Sequence, residues 1–216
     1  MDKREIFSNA DEYQRFLAYL CVLNDAAAPR LTHEIRRDYV LEAKPLKLTQ
    51  GAPLVAIGAY CLMPNHFHLY VTPLVENGIS KFMQRLQTAY TMYFNERHAR
   101  SGALFQGTFK ARHVLDDRYA RYLFSYIHLN PAKLVDPHWK EFGSRDFKKV
   151  REYVQTYPYS SFGEYNRKRH VITDPARFPE YFSTRRSLDA HIDDWLEEGD
   201  MHDAPVRGLA SNAREE

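Results

Sequence analysis

The sequence predicts an α+β fold in which helices pack on an antiparallel sheet, in the order of a ferredoxin-like domain that lacks its opening strand. Three observations predict it. Residues 9–24 and 78–102 carry apolar side chains at helical spacing, and residues 53–73 form two apolar, strand-like stretches around a Pro-Asn turn. A further strand-like stretch and a further helical stretch follow. The predicted order is therefore helix, strand, strand, helix, strand, helix.

Composition limits the classes of protein that this chain can belong to. The chain has 216 residues and a formal net charge of +2, so only local clusters of Lys and Arg could mark a nucleic-acid surface. Cys21 and Cys61 lack the spacing of metal ligands and are predicted to be buried small hydrophobes. Without a secretory leader or a long apolar run, we expect a cytoplasmic protein that does not engage a membrane.

The first predicted helix covers the sequence NADEYQRFLAYLCVLN, with Asn9 or Asp11 as its cap. Residues 26–29 end it, and residues 30–50 form a polar, charged excursion with weak periodicity. Residues 53–63 then form an apolar strand that pairs with the next strand as an antiparallel hairpin.

Two histidines open that next strand, directly after a Met-Pro-Asn turn signal. His66 and His68 are two residues apart, so their side chains point to the same face while Phe67 points to the other. Two adjacent imidazoles can share one metal ion. The simpler alternative is that both are ordinary strand residues facing solvent, and the turn directly before them favours a site.

The helix predicted over residues 78–102 ends at Gly102. Residues 105–115 alternate enough to predict a further strand, in which Gln106, Lys110 and Arg112 place hydrogen-bond donors beside aromatic residues, and His113 faces solvent. These basic residues are either phosphate contacts or ordinary solvated strand charges.

The last helix of the predicted core is capped by Asp116 or Asp117 and ends at Asn130, before Pro131. Tyr126 and Asn130 are four residues apart and therefore share one face, whereas His128 lies off that face and is given no role.

A helical and irregular extension follows the core. It contains a basic helical segment, a turn-rich aromatic stretch over residues 157–165 and an amphipathic patch of Leu188, Ile192, Trp195 and Leu196, and it is frayed from about residue 199. The predicted division is a catalytic domain at 1–140 and an extension at 141–216.

Four sequence blocks, in order, carry a resemblance to a known family. They are YCLMPNHFHLYV, ENGISKFMQRLQTAYTMYFN, GALFQGTFKARHV and YLFSYIHLNP, and the resemblance covers most of residues 1–140. In these blocks the chain resembles the single-tyrosine HUH transposases, especially the group of REP-associated tyrosine transposases. The resemblance implies a sheet that carries the histidine pair and a helix across it that carries the nucleophile.

The resemblance also implies the roles of individual residues. Tyr126 would be the nucleophile that forms a 5′-phosphotyrosine, and His66, His68 and Asn130 would hold a divalent metal. Imidazoles alone favour zinc or other transition metals, whereas the resemblance implies Mg²⁺ or Mn²⁺, which an Asn oxygen and phosphate oxygens would suit.

The implied partner is single-stranded or hairpin DNA, which Gln106, Lys110 and Arg112 would contact. The sequence leaves open whether the chain acts as a monomer or as a homodimer. One alternative function is a catalytically inactive or truncated relic that only binds DNA. Another is a plasmid or phage replication nuclease with the same chemistry, which the pattern of blocks disfavours.

Two departures from the family pattern stand out. Thr108 occupies a position where relatives commonly carry a basic residue. The DNA contact that this basic residue would make is therefore either lost in this chain or supplied by Lys110. The family also has a strand before the region that matches residues 2–7. We therefore expect that Met1 lies downstream of the true start, or that the gene is a truncated remnant with one uncovered edge on the histidine strand.

Overall fold

The computed structural model describes residues 4–27, 51–180 and 185–198. The predicted excursion at residues 30–50 and the predicted frayed tail from residue 199 lie outside this part of the chain, as does the side chain of Leu188. Among the residues described, no helix combines the length and the apolar character needed to cross a membrane.

The architecture is α+β, as the sequence predicted. The elements, in chain order, are α1 (Ala10–Val22), β1 (Val55–Met63), β2 (His66–Pro73), α2 (Gly78–Arg97), α3 (Asp117–Leu129), a 3-10 turn (Asn130–Leu134), α4 (Trp139–Phe142), α5 (Phe147–Thr156), α6 (Phe162–Arg167), a second 3-10 turn (Pro175–Arg177) and α7 (Arg185–Glu198).

Side-chain caps fix the starts of α1 and α3. Asn9 accepts a hydrogen bond of 3.2 Å from the backbone N–H of Glu12 at the start of α1, so Asn9 rather than Asp11 is the cap. Asp116, rather than Asp117, caps α3 through a bond of 2.7 Å from the backbone N–H of Tyr119.

The predicted end of α2 at Gly102 is wrong. The helix ends at Arg97, because Ala99 has a φ of 47° in the left-handed region, which an α-helix does not continue through.

The predicted hairpin is confirmed. β1 and β2 pair antiparallel, with Met63 opposite His66 and Cys61 opposite His68 across the two-residue turn. Because side chains alternate along a strand, both histidines lie on one face of the sheet and Phe67 lies on the other.

Each face of the hairpin packs on its own hydrophobic core. On the Phe67 face, buried residues of α1 and α2 form the first core with β1. On the histidine face, the second core combines Cys61 and Met63 with Phe124 of α3 and with Val154 and Trp195 of the extension. The boundary predicted near residue 140 stays a prediction, but residues from both sides of it share this second core.

The strand predicted over residues 105–115 is wrong, because the segment is irregular and the sheet has two strands within the described ranges. The segment pairs with neither strand of the hairpin, and the outer edge of β1 is occupied by another part of the chain. The N–H of Leu62 bonds to the carbonyl of Tyr159 at 2.9 Å, and the N–H of Ser161 bonds to the carbonyl of Tyr60 at 3.0 Å. The α+β class is thus confirmed, whereas the ferredoxin-like arrangement of strands stays a prediction.

Residues 157–174 form the cover on this edge, which we call the edge cover. Their last backbone bond to the strand runs from the N–H of Asp174 to the carbonyl of Ile57 at 2.8 Å. Glu164 of α6 holds the cover together, because its carboxylate accepts bonds from the N–H of Thr173 at 3.0 Å and from the hydroxyl of Thr173 at 2.7 Å. The covered edge belongs to β1, whereas the expectation of an uncovered edge concerned β2.

Candidate active site on the histidine face

The two histidines lie side by side where β2 begins. Their ring centroids are 4.9 Å apart and the ring planes are almost perpendicular, at 89°. His66 is exposed and His68 is half-buried. The pair therefore lies between solvent and the second core, with His66 on the solvent side.

Hydrogen bonding leaves a ring nitrogen available on each imidazole. Nδ1 of His66 lies 2.6 Å from Oδ1 of Asn65, and because an amide oxygen only accepts, Nδ1 is the donor and Nε2 keeps its lone pair. Nε2 of His68 is buried and has no hydrogen-bond partner among the described residues. This nitrogen is therefore available to bind a group that enters the site.

Tyr126 of α3 lies against the histidine pair. Its ring centroid is 5.6 Å from that of His68, with the planes at 86°. Buried Phe124 and Ile127 fix α3 to the second core, so the neighbouring position 126 is half-buried at the edge of that contact. Tyr122 stacks one turn away, 6.1 Å from Tyr126. Tyr126 is therefore a tyrosine of α3 whose ring contacts a histidine of the pair.

Asn130 follows α3 as the first residue of the 3-10 turn. Its Nδ2 donates a bond of 2.8 Å to the carbonyl of Tyr126, which fixes the orientation of the amide. Its Oδ1 is buried and has no partner among the described residues. Asn130 is thus joined to Tyr126 by a direct bond, and its free acceptor is an oxygen.

The donor atoms of His66, His68 and Asn130 are of types that can bind a divalent metal. No cluster of three or more His, Cys, Asp or Glu side chains suited to a metal occurs in the described part of the chain. Two imidazole nitrogens and one amide oxygen, two of them buried without partners, are acceptors of the kind that a metal requires. No carboxylate belongs to this set.

The surroundings of the pair keep both imidazoles neutral. Burial, followed by the charges of His66, Lys133 and Lys140, lowers the pKa of His68 to about 3. Although His66 is exposed overall, desolvation of the part of its ring that faces the protein, followed by the charge of Lys133, also lowers its pKa below the usual value. Neutral imidazole is the form that binds a metal, so both side chains are ready to act as ligands at neutral pH.

Lys140 also lies at this site, and no local sequence pattern marked it. Its Nζ is 3.8 Å from the centroid of the Tyr126 ring, a cation–π contact. The neighbouring Trp139 is fully buried and anchors the short helix α4 that carries the lysine. The available sequence signal was the adjacent pair Trp139 and Lys140, which lies outside the four blocks. The role of this pair depends on the fold, which places α4 beside α3.

His128 has a structural partner that sequence reasoning also missed. The side chain is fully buried, with Nδ1 2.9 Å from the carbonyl of Phe124 and Nε2 2.7 Å from Oγ of Ser161. Ser161 belongs to the edge cover and also accepts a bond of 2.9 Å from the N–H of Tyr60. This chain of bonds ties α3 to β1 and to the edge cover.

Gln106, Lys110 and Arg112 are all exposed, in the irregular segment that replaces the predicted strand. The aromatic anchors of that segment, Phe105 and Phe109, pack against the first core, on the face opposite the histidines. The binding of DNA by the three polar residues stays a prediction.

Comparison with known families supplies an independent finding. Residues 45–130 match the family model described as Transposase IS200 like, and this range contains the histidine pair, Tyr126 and Asn130. Comparison with curated proteins and comparison with solved structures gave no significant match. The family implies a DNA-binding enzyme that cleaves DNA and transfers strands. Over residues 45–130, which make up less than half of the chain, the sequence is similar to the family of IS200-like transposases.

Proposed function

We propose that this chain cleaves and rejoins single-stranded or hairpin DNA, with Tyr126 as the nucleophile. The observation that carries the proposal is the edge-on contact of the Tyr126 ring with His68, 5.6 Å between centroids, beside two buried acceptors without partners. A nucleophile and a set of metal ligands on adjacent elements are what phosphodiester cleavage through a covalent intermediate requires.

In the first step, the phenolic oxygen of Tyr126 bonds to the phosphorus of a phosphodiester, and the bond from phosphorus to the 3′-oxygen breaks. The products are a 5′-phosphotyrosine and a free 3′-hydroxyl. In the second step, a 3′-hydroxyl of another end attacks the phosphotyrosine and the phenolic oxygen leaves. A phenol has a pKa of roughly 10, far below that of an alcohol, so it leaves readily and the step is reversible.

His66, His68 and Asn130 would hold a divalent cation, Mg²⁺ or Mn²⁺. When bound, such a cation polarises the phosphoryl group and offsets the charge that develops on its oxygens. The chain itself orients the donors, because Asn65 fixes the ring of His66 and the carbonyl of Tyr126 fixes the amide of Asn130. The hydrogen bond from Nδ2 of Asn130 to the backbone carbonyl of Tyr126 links the position of a proposed metal ligand to that of the proposed nucleophile.

The test compares two tyrosines on the same helix. Full-length protein is incubated with Mn²⁺ and labelled single-stranded hairpin DNA from the gene's flanks, and covalent adducts are resolved on denaturing gels. Tyr126→Phe should lose the adduct. Tyr122→Phe should keep it, because Tyr122 stacks on Tyr126 and its ring lies against Trp195 of the extension.

A non-catalytic DNA-binding protein is the second candidate function, and the same experiment separates the two. An unmodified chain that binds the hairpin but forms no adduct would favour that candidate. An adduct that persists in Tyr126→Phe and disappears in Tyr122→Phe would refute the assignment of the nucleophile.

A further inference from the structure

The ring of Tyr126 has contacts from two other elements of the fold. His68 of β2 meets it edge-on, with ring centroids 5.6 Å apart and planes at 86°. Lys140 of α4 places its Nζ 3.8 Å from the ring centroid. So short a distance is possible only over the face of the ring, because in the ring plane the carbon and hydrogen atoms at the edge would exclude an ammonium group. Lys140 therefore contacts a face of the phenol ring.

The helix that carries Lys140 is anchored on both sides of the lysine. The preceding residue, Trp139, is fully buried in the second core. Shortly after the helix, the N–H of Ser144 donates a bond of 2.8 Å to the carbonyl of Leu196 in α7. The backbone of α4 is thus fixed between the second core and α7, and Lys140 approaches Tyr126 from a set position.

The contact between Lys140 and Tyr126 is attractive. The π-electrons of a phenol ring give its face a negative potential, which attracts an ammonium group at this distance. The attraction is stronger where water is partly excluded, and both side chains are half-buried. Because the attraction is specific for the ring face, it favours one orientation of the Tyr126 side chain over others.

The orientation of the ring decides where the phenolic oxygen lies. An attacking oxygen must be close to phosphorus and opposite the bond that breaks, and small displacements from such a geometry slow a reaction strongly. Phe124 and Ile127 fix the backbone of α3, but they do not set the side-chain torsions of Tyr126. The contacts with His68 and Lys140 are the ones that restrict those torsions.

We propose that Lys140 is a positioning residue for Tyr126. Its ammonium group holds the ring in the orientation from which the phenolic oxygen attacks the DNA phosphate. The inference rests on the proposed function for the reaction, and it adds to the site a residue of α4, which lies outside the family match at residues 45–130. Because Lys140 acts through the tyrosine, its loss slows the covalent step and leaves DNA affinity nearly unchanged.

Single-turnover kinetics with saturating Mn²⁺ and hairpin DNA from the gene's flanks separate the covalent step from binding. Lys140→Met keeps the length of the side chain and removes its charge, so we expect adduct formation to slow on the order of tenfold. Lys140→Arg should restore most of the rate, because a guanidinium group makes the same kind of contact with an aromatic face. The matched control is Lys148→Met, at an exposed position of α5, and it should react at the unmodified rate.

Fluorine NMR reports the environment of the ring without any reaction. The analogue meta-fluorotyrosine is incorporated at position 126, and spectra are recorded without DNA or metal. We expect the resonance of the folded protein to differ from that of the protein in urea. Lys140→Met should move it toward the value in urea, whereas Lys140→Arg and Lys148→Met should leave it close to that of the unmodified chain.

Three results would overturn the inference. The first is adduct formation at the unmodified rate in Lys140→Met, and the second is equal slowing in Lys148→Met, which would assign the effect to net charge. The third is a loss of DNA affinity by the same factor as the rate, which would make Lys140 a phosphate contact. Failure of the proposed function gives a different result, because the unmodified chain then forms no adduct while the fluorine resonance still responds to Lys140→Met.

Discussion

His128 on α3 and Ser161 in the edge cover are joined by a buried hydrogen bond of 2.7 Å between Nε2 and Oγ. The same hydroxyl also bonds to the backbone of Tyr60 in β1. One serine thus holds together the helix of the proposed nucleophile, the strand beside the histidine strand and the edge cover.

The Ser161→Ala protein tests this connection. It leaves Nε2 of His128 and the N–H of Tyr60 buried without their partner, which costs about 1–3 kcal/mol of the free energy of unfolding for a buried group. Urea denaturation should show that loss. Ser144→Ala is the control, because the hydroxyl of Ser144 has no hydrogen-bond partner among the described residues. Equal stability of the Ser161→Ala and unmodified proteins would show that the bond is dispensable.

Removal of the extension tests the boundary predicted at residue 140. A chain that ends at Lys140 uncovers Phe124 and Ile127, which pack against Val154 and Trp195. We expect it to lose cooperative thermal unfolding and to bind a hydrophobic dye, whereas a chain that ends at Glu198 should unfold like the full-length protein. A cooperative transition in the shorter chain would instead support an independent domain at 1–140.

Replacement of the histidine pair should separate cleavage from binding. The His66→Ala and His68→Ala protein loses two proposed metal ligands, so we expect no detectable cleavage of the hairpin DNA. Its DNA affinity should change little, because Lys and Arg contacts to phosphates supply most of that affinity. His138→Ala, an exposed histidine paired with Glu141, serves as the control and should cleave normally. Normal cleavage by the double variant would exclude the pair from the reaction.

Lys110 and Arg112 are predicted to bind the DNA backbone from the irregular segment. Lys110→Gln with Arg112→Gln should weaken hairpin binding and reduce the slope of log affinity against log salt by about one for each phosphate that is no longer neutralised. Filter binding at several salt concentrations measures this slope. The Lys148→Gln and Lys149→Gln protein controls for net charge, and an identical slope in both proteins would remove the two residues from the interface.

The two thiols should be poorly reactive in the folded protein. The structure confirms that Cys61 is buried, whereas Cys21 is half-buried. This burial raises the pKa of Cys61 well above its usual value and raises that of Cys21 to about 12. Because the thiolate is the reactive form, a pKa of about 12 in place of about 8.5 lowers the reactive fraction of Cys21 at pH 8 roughly a thousandfold. Ellman's reagent should therefore detect both thiols promptly in guanidinium and only slowly without it. Prompt reaction of the native chain would contradict this burial.

Local patterns predicted the elements whose signals lie within a few residues. Adjacent residues predicted the hairpin and the alternation that places both histidines on one face. They also limited the caps of α1 and α3 to two candidates each, from which the structure selects Asn9 and Asp116. The strand at residues 105–115 was not, because alternation shows that a segment can pair and does not show whether an edge is available. The roles of Lys140 and His128 depend on contacts between elements that are far apart in the chain.

The edge cover also sets an order of events for folding. The bond between the N–H of Tyr60 and Ser161 spans 101 residues, and the bond from Tyr165 to Gly58 spans 107. During synthesis, the hairpin leaves the ribosome long before the edge cover does. The outer edge of β1 therefore stays unpaired until about residue 174 has emerged. Closing such long loops is slow, and this interval is when the nascent chain is most exposed to aggregation and most dependent on chaperones.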